Sequence, residues 1–322
     1  MGDSPLKHLC LILTGIVNSK LLFLELSTHV LYDTLEFMAT AYFIDHYGDT
    51  QLRWKSIEAI NSCQSLIYEC FPEINSGFTA LATAVNPQPT LVHVHDTKDD
   101  ATVAQFRTAI SAHKNCVMES PGICTAGDYC RRNLLFEMRR VWLSIVSDAK
   151  LSITVYDRCH SSQNGSGGDA GYGFYHWLQS SGVDSLFYWY IMAFMICRVS
   201  DGNDIFPTGL EKYLVQDWCR HKAIENRLYN EVGSVGRDRA ESNLNAADFL
   251  EFRGSTLDKA KADLLNMAKL EGELAKICWE RLQVSLLTNR APRVRAILRL
   301  LNEITDANSE LYVMRNVFAS HI

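Results

Sequence analysis

The chain has 322 residues, 47% of them hydrophobic and 21% charged, which is typical of a soluble globular protein with a sizeable core. A formal net charge of −6 argues against a nucleic-acid-binding surface, and the ten cysteines show no zinc-finger spacing. The longest apolar run, Leu186–Cys197, is too short to span a bilayer, and the first residues do not read as a secretory leader. We therefore expect a cytoplasmic protein with reduced thiols, no nucleic-acid partner and no stable membrane insertion.

Helical periodicity dominates the chain from end to end. In chain order the predicted helices are Leu9–Leu26, Tyr32–Tyr47, Arg53–Phe71, Phe78–Val85, Thr90–His113, Tyr129–Tyr156, Phe174–Val199, Leu210–Glu231 and beyond, Thr256–Leu287 and Arg293–Phe318. The polar, glycine-rich stretch Cys159–Gly173 predicts a surface loop, and Ser180–Gly182 predicts a break within its helix. No stretch alternates with period two, so the sequence predicts an all-α protein, with residues 1–322 as a single domain.

One helix carries a stripe of oxygen-bearing side chains. Asn230, Ser234 and Asp238 are spaced four residues apart, so they share a helix face. Oxygen ligands suit Mg²⁺, which keeps water or phosphate oxygens as its other ligands. The stripe could therefore form half of a metal site, or it could be an exposed polar face.

A second acidic cluster precedes this stripe by about 130 residues. It contains Asp96, Asp99 and Asp100, of which the first and last are four residues apart. Carboxylates this close repel one another unless a cation or solvent relieves them, and a solvated helix N-terminus is the plainer interpretation. Two such faces in one all-α domain can meet across a bundle, where bundles build their metal sites.

The two clusters together resemble the metal-binding motifs of class I terpene cyclases. The run from Asn230 to Asp238 resembles the second motif, and about two dozen residues around it are similar to fungal diterpene cyclases. The stretch 95–100 resembles the aspartate-rich first motif, with His95 in the place of its leading aspartate. A degenerate first motif is also a feature of a group of fungal humulene-forming sesquiterpene cyclases.

The resemblance implies a class I terpenoid synthase helical bundle and a set of site residues. It implies a cluster of about three Mg²⁺ ions acting on a prenyl diphosphate. The implied metal ligands are Asp96, Asp99, Asp100, Asn230, Ser234 and Asp238. Of these, Asp96, Asn230, Ser234 and Asp238 are the expected catalytic residues, and Arg237, Tyr312 and Arg315 are implied as diphosphate-binding residues.

A carbocation needs a dry pocket with aromatic faces. The aromatic segments around the predicted helix break can supply one, although aromatic stripes usually belong to a core. The residues predicted to line it are Trp177, Ser181, Gly182, Phe187 and Trp189. The family's diphosphate-sensing arginine has no counterpart between Arg158 and Arg198, so it stays unassigned.

The predicted function is Mg²⁺-dependent ionisation of an allylic diphosphate, farnesyl diphosphate first, and cyclisation to a sesquiterpene such as humulene. Two alternatives stay open. A chain-elongating prenyltransferase shares the fold but would need a second aspartate-rich motif, and a non-catalytic helical protein with a decayed site would explain His95. A homodimer is left open.

Overall fold

A computed structural model gives the fold of this chain. The residues it describes are 44, 47, 51–52, 55–74, 97–161, 173–200, 202, 204–240, 243–252, 254–287 and single positions between 292 and 306. Within these ranges every regular element is helical, which confirms the predicted all-α class. No helix among them is long and apolar enough to cross a membrane.

The main helices of the described part follow one another in this order. They are α1 (Ile57–Cys70), α2 (Thr97–Met118), α3 (Asp128–Ser161), α4 (Phe174–Leu178), α5 (Ser181–Asp184), α6 (Tyr188–Val199), α7 (Gly209–Ala240) and α8 (Leu257–Leu287). Two short 3-10 helices, Ala246–Asp248 and Leu250–Phe252, connect α7 to α8.

The predicted break after α4 is confirmed, and a second interruption follows it. The chain leaves helix geometry after Leu178, forms the single turn α5, and turns again at Phe187, whose φ of 59° lies in the left-handed region. Gly182 packs directly under Trp177, because a Cβ on this glycine would lie 2.8 Å from the indole. The small residues of the break therefore make room for a large ring.

Several of the predicted helix bounds are wrong. The helix predicted from Arg53 begins at Ile57, because Ser56 is its extended N-cap. Thr90–His113 was expected as one helix, but α2 continues to Met118, because His113 is a buried, hydrogen-bonded core residue. The predicted loop Cys159–Gly173 begins too early, since α3 continues to Ser161. Polar composition predicts exposure better than it predicts the last turn of a helix.

Several predicted helices fall partly or wholly outside the described residues. Leu9–Leu26 and Phe78–Val85 lie entirely outside them, whereas Tyr32–Tyr47 and Arg293–Phe318 overlap them at single positions only.

Helices α1 and α2 run parallel to each other. Arg107 of α2 donates a hydrogen bond of 2.8 Å to Glu69 near the end of α1. Seven residues further along α2, Lys114 donates a hydrogen bond of 2.6 Å to Glu73, which lies four residues after Glu69 and just beyond α1. The first turn of α2 therefore lies at the same end as the first turns of α1.

Helix α3 runs antiparallel to α1. The Arg139 guanidinium lies 5.8 Å from the ring centre of Tyr68, near the end of α1. Towards the other end, Lys150 donates a hydrogen bond of 2.9 Å to Asn61. The first turn of α2 and the segment of α3 around Lys150 thus occupy the same end of the bundle.

Helices α7 and α8 form the most extensive helix pair of the described part. They are antiparallel. Asp217 of α7 contacts Cys278 of α8. One turn later on α7, His221 contacts Glu271, which lies two turns earlier on α8. Trp218 and Trp279 pack between them with ring centres 5.1 Å apart. This pairing buries one face of α7, while another face of its C-terminal half lines a cavity together with residues of α3.

Candidate active site

The oxygen stripe lies on a continuous helix, as predicted. Helix α7 runs unbroken from Gly209 to Ala240, so Asn230, Ser234 and Asp238 share one face. Ser234 and Asp238 are buried, and Asn230 is partly exposed. Three hard oxygen donors on one helix face match the ligands that Mg²⁺ prefers.

Asp238 is held by hydrogen bonds on both carboxylate oxygens. Its Oδ2 accepts from the Ser234 hydroxyl and, at 2.8 Å, from Nδ2 of Asn245. Its Oδ1 accepts from Nη2 of Arg237 at 3.1 Å. Asn245 is fully buried and also donates 2.9 Å to the carbonyl of Glu231. The last two turns of α7 are thereby fastened to the segment that follows them.

A cavity of about 160 Å³ opens between α3, the α4–α5 break and the end of α7. Three carboxyl groups and two guanidinium groups line it, together with one indole and smaller side chains. The lining residues are Ile145, Asp148, Ala149, Ser152, Trp177, Ser185, Arg227, Asn230, Glu231, Arg237, Asp238, Asn243 and Leu244.

Arg227 links the aromatic wall of this cavity to its acidic wall. Its guanidinium lies 4.8 Å from the ring centre of Trp177, within cation–π range. Its Nε lies 2.9 Å from Oε1 of Glu231, one turn further along α7. The other oxygen of Glu231 accepts a hydrogen bond of 2.6 Å from the backbone N–H of Ala246.

The acidic wall carries carboxyl groups that resist ionisation. Burial raises the pKa of Glu231 to about 7, Arg227 opposes the rise, and the charges of Asp238 and Asp148 add to it. Burial also raises the pKa of Asp148, opposed by Arg227 and by nearby hydroxyl and indole donors. Because burial is the main cause, a cation bound beside these carboxyl groups would favour their ionised form.

The predicted site residues of this region occupy different positions. Asn230, Arg237, Asp238 and Trp177 line the cavity, and Ser234 lies behind the wall against Asp238.

The four other predicted pocket residues do not line it. Ser181 lies next to Asp148, and Gly182 lies under the Trp177 ring. Phe187 occupies the turn before α6, and Trp189 packs 5.9 Å from the guanidinium of Arg140.

The remaining predicted residues belong to segments of which less is described. Asp96, Tyr312 and Arg315 lie outside the described residues. Asp99 and Asp100 belong to the first turn of α2, and their side chains are outside the described part. The helix directions place that turn at the end of the bundle where Lys150 and, half a turn away, Asp148 lie.

Three residues of the site were missed by the sequence analysis. Arg227 could have been found by counting one turn back from Asn230, because residues three apart share a helix face. Asn245 lies within the stretch that resembles fungal cyclases, but nothing in its spacing marks it. Asp148 is one of four acidic residues spread along α3, and only tertiary packing brings it to the cavity.

The fold and the site thus define an all-α protein with an oxygen-rich, arginine-bearing cavity at one end of its bundle. No protein-family profile matches the chain. Curated relatives that it does match are fungal terpene synthases, so the chain is similar to that class of enzyme.

The similarity covers most of this chain but a minor part of each relative. The chain is 25% identical over 320 residues to ent-kaur-16-ene synthase of Fusarium fujikuroi, covering 91% of this chain and 32% of the relative. It is 24% identical over 303 residues to bifunctional premutilin synthase of Rhodocybe pseudopiperita, covering 89% and 29%. Pimaradiene synthase of Emericella nidulans is 33% identical over 155 residues, covering 44% and 15%. The chain therefore spans about a third of the length of the first of these relatives.

Proposed function

We propose that this chain is a class I terpene cyclase. It ionises an allylic prenyl diphosphate, folds the resulting carbocation into a cyclic hydrocarbon and releases diphosphate. The observation that carries the proposal is the single cavity in which the stripe residues Asn230 and Asp238 meet Arg227 and Trp177. The similarity to fungal terpene synthases supports the same reaction class.

The donor set of the cavity fits Mg²⁺. Asn230, Ser234 and Asp238 would hold it from α7, and Ser234 and Asp238 are already in hydrogen-bond contact. Asp96, Asp99 and Asp100 would supply ligands from the start of α2. The bound ions supply electrostatic stabilisation of the negative charge that develops on the leaving diphosphate.

Positively charged side chains of the protein would stabilise the remaining negative charge of the diphosphate. Arg227 and Arg237 both line the cavity, and guanidinium groups bind phosphate oxygens by charge-assisted, often bidentate hydrogen bonds. Tyr312 and Arg315 keep their proposed place over the diphosphate. Arg227 is the described arginine deepest in the site, so we propose it for the diphosphate-sensing role that the sequence left unassigned.

The aromatic wall stabilises the carbocation. Trp177 is 1% exposed and turns one face towards Arg227, so its ring is already positioned to attract positive charge. The Trp177 ring centre lies 6.2 Å from that of Phe174 and 5.1 Å from that of Phe249, and Phe252 packs behind Phe174. This packing fixes the ring and keeps water from one side of the cavity.

The carbon-chain length of the prenyl diphosphate substrate is a more specific question within this proposal. The sequence predicts farnesyl diphosphate and a humulene-type product, whereas ent-kaurene and pimaradiene synthases are named for diterpene products. The chain covers about a third of relatives called bifunctional, which fits a region that performs one of two reactions. Both C15 and C20 diphosphates therefore belong in the assay.

The proposal is tested by incubating the purified chain with farnesyl or geranylgeranyl diphosphate, with and without Mg²⁺. We expect a cyclic hydrocarbon by gas chromatography and release of inorganic diphosphate, both abolished by a chelator. In a parallel reaction that also contains isopentenyl diphosphate as the C5 donor, a linear prenyl diphosphate longer than the substrate would instead indicate a chain-elongating prenyltransferase. No metal-dependent release of diphosphate from either farnesyl or geranylgeranyl diphosphate would indicate a decayed site.

A further inference from the structure

A second cluster of polar side chains lies between α7 and α8. Asp217 and His221 are one turn apart on α7, and Cys278 faces them from α8. One ligand atom from each of the three lies within 4.8 Å of the other two. Asp217 precedes Asn230 by thirteen residues, which is about 20 Å along the helix axis, so the cluster is separate from the candidate active site.

The imidazole of His221 is oriented by an outer partner. Its Nδ1 lies 2.5 Å from Oε2 of Glu271, whereas its Nε2 lies 3.9 Å from Oδ1 of Asp217. When Nδ1 donates its proton to the Glu271 carboxylate, Nε2 carries the lone pair on the side of the cluster. A carboxylate on the far nitrogen is the usual way in which proteins orient a metal-binding histidine.

The thiol of Cys278 points at the same place. Its Sγ donates a hydrogen bond of 3.3 Å to Oδ2 of Asp217, and Cys278 is 8% exposed. The other oxygen of Asp217 is occupied by Nη2 of Arg220 at 2.9 Å. A cation could therefore replace the thiol proton between Sγ and Oδ2.

We propose that Asp217, His221 and Cys278 form a binding site for a transition-metal ion, with Zn²⁺ as the best match. One sulfur, one nitrogen and one oxygen ligand suit the borderline-soft Zn²⁺, and water would take a fourth, open position. On binding, the Cys278 S–H bond breaks, its proton leaves to solvent and the thiolate binds the ion. The ion would cross-link α7 to α8, the helix pair that supports the oxygen stripe.

Arg220 competes with the ion. Its Nη2 lies 3.5 Å from Nε2 of His221, and its side chain is 46% exposed, so it can turn into solvent. Removing its charge should favour metal binding, because the cation and the guanidinium repel each other. The variant Arg220→Gln should therefore bind the metal more tightly than the wild type.

Co²⁺ is the probe, added to the full chain in saturating Mg²⁺ so that oxygen-ligand sites are already filled. We expect about one equivalent of Co²⁺ to be retained, with a thiolate-to-cobalt charge-transfer band. Cys278→Ser should lose the band, and His221→Gln should weaken binding about tenfold or more. Cys124→Ser, at an exposed thiol elsewhere, is the matched control and should leave the band unchanged.

A band that persists in Cys278→Ser, or Co²⁺ binding without any band, would overturn the proposal and leave a purely hydrogen-bonded cluster. If circular dichroism shows Cys278→Ser to be unfolded, the wild type provides the second measurement. Zn²⁺ should then slow alkylation of Cys278, read by peptide mass spectrometry, and an unchanged rate would contradict the site. Neither measurement depends on terpene cyclase activity.

Discussion

Asn245 holds Asp238 by a hydrogen bond of 2.8 Å between Nδ2 and Oδ2, although the two residues lie on different elements. The same amide donates to the Glu231 carbonyl, and its oxygen accepts from the backbone N–H of Ala247. Asn245 therefore joins the end of α7 to the following 3-10 helix and fixes the proposed metal ligand in one orientation.

Replacing Asn245 with alanine should impair metal use more than folding. Outer residues that orient ligands typically change metal affinity or activity about 10–100-fold, and we expect Asn245→Ala to raise the Mg²⁺ concentration needed for half-maximal turnover by that order. Asn61→Ala is the control, because Asn61 is exposed and bonds only to a surface lysine in the described part. An unchanged Mg²⁺ requirement in Asn245→Ala would remove Asn245 from the site.

Arg227 should be a stability residue as well as a site residue. In Arg227→Gln, buried Glu231 and nearby Asp148 lose their shared cation, and breaking such a buried pair costs about 3 kcal/mol or more. We expect that loss in urea denaturation. The double variant with Glu231→Gln should recover part of the stability without recovering turnover.

Arg239→Gln provides the comparison for that measurement. Arg239 pairs with Asp248 at 2.9 Å, but its side chain is 47% exposed, so its removal should cost less than about 1 kcal/mol. Equal losses of stability in Arg227→Gln and Arg239→Gln would mean that burial does not increase the contribution of the Arg227–Glu231 pair.

His113 should make the fold sensitive to acid. Burial lowers the pKa of His113 to about 3. The indole N–H of Trp142 can only donate, so Nδ1 of His113 accepts at 3.2 Å, and Nε2 carries the proton towards the Tyr190 oxygen at 2.8 Å. Protonation of Nδ1 would destroy the first of these bonds.

The sign of the pH effect follows from the lowered pKa. Below the unfolded pKa of about 6.5 the unfolded chain binds a proton that the native His113 refuses, so stability falls with decreasing pH until about pH 3. This single group should remove about 2 kcal/mol between pH 7 and pH 5. His113→Gln should flatten that part of the stability profile, and an equally steep profile in the variant would contradict the assignment.

Gly182 should control the position of Trp177. A Cβ at Gly182 would lie 2.8 Å from the indole, so Gly182→Ala should displace the ring, cost about 1–3 kcal/mol and change the product distribution. Gly236→Ala is the matched control, since no atom lies within 4 Å of its added Cβ, and it should stabilise α7 by up to about 1 kcal/mol. Products identical to the wild type in Gly182→Ala would exclude Trp177 from shaping the carbocation.

The sequence was sufficient wherever a signal is local. Thr256–Leu287 was predicted as a helix and α8 is Leu257–Leu287, because a long amphipathic pattern and its flanking residues lie in one stretch. The stripe on α7 follows from spacing alone, and the break at Ser180–Gly182 follows from small residues in an apolar run.

The rest of the site depends on contacts between distant segments. Asp148 of α3 lines the same cavity as Arg227 of α7, and no pattern around Asp148 indicates that neighbour. The partner of Arg227 at Trp177 lies fifty residues away in the chain. The contact between Gly182 and the Trp177 ring could not be predicted either. A glycine at a helix break is already explained by the turn, so nothing in the sequence points to a ring above it.

The central claim is that the oxygen stripe of α7 binds the cations that drive diphosphate release. The most direct measurement compares Mg²⁺-dependent release of inorganic diphosphate by the wild type and by Asn230→Ala, with each C15 and C20 substrate. Asn230 makes no side-chain hydrogen bond to another described residue, so its loss should leave the melting temperature unchanged. The account predicts nearly complete loss of release in a folded variant. Undiminished release by Asn230→Ala would contradict it.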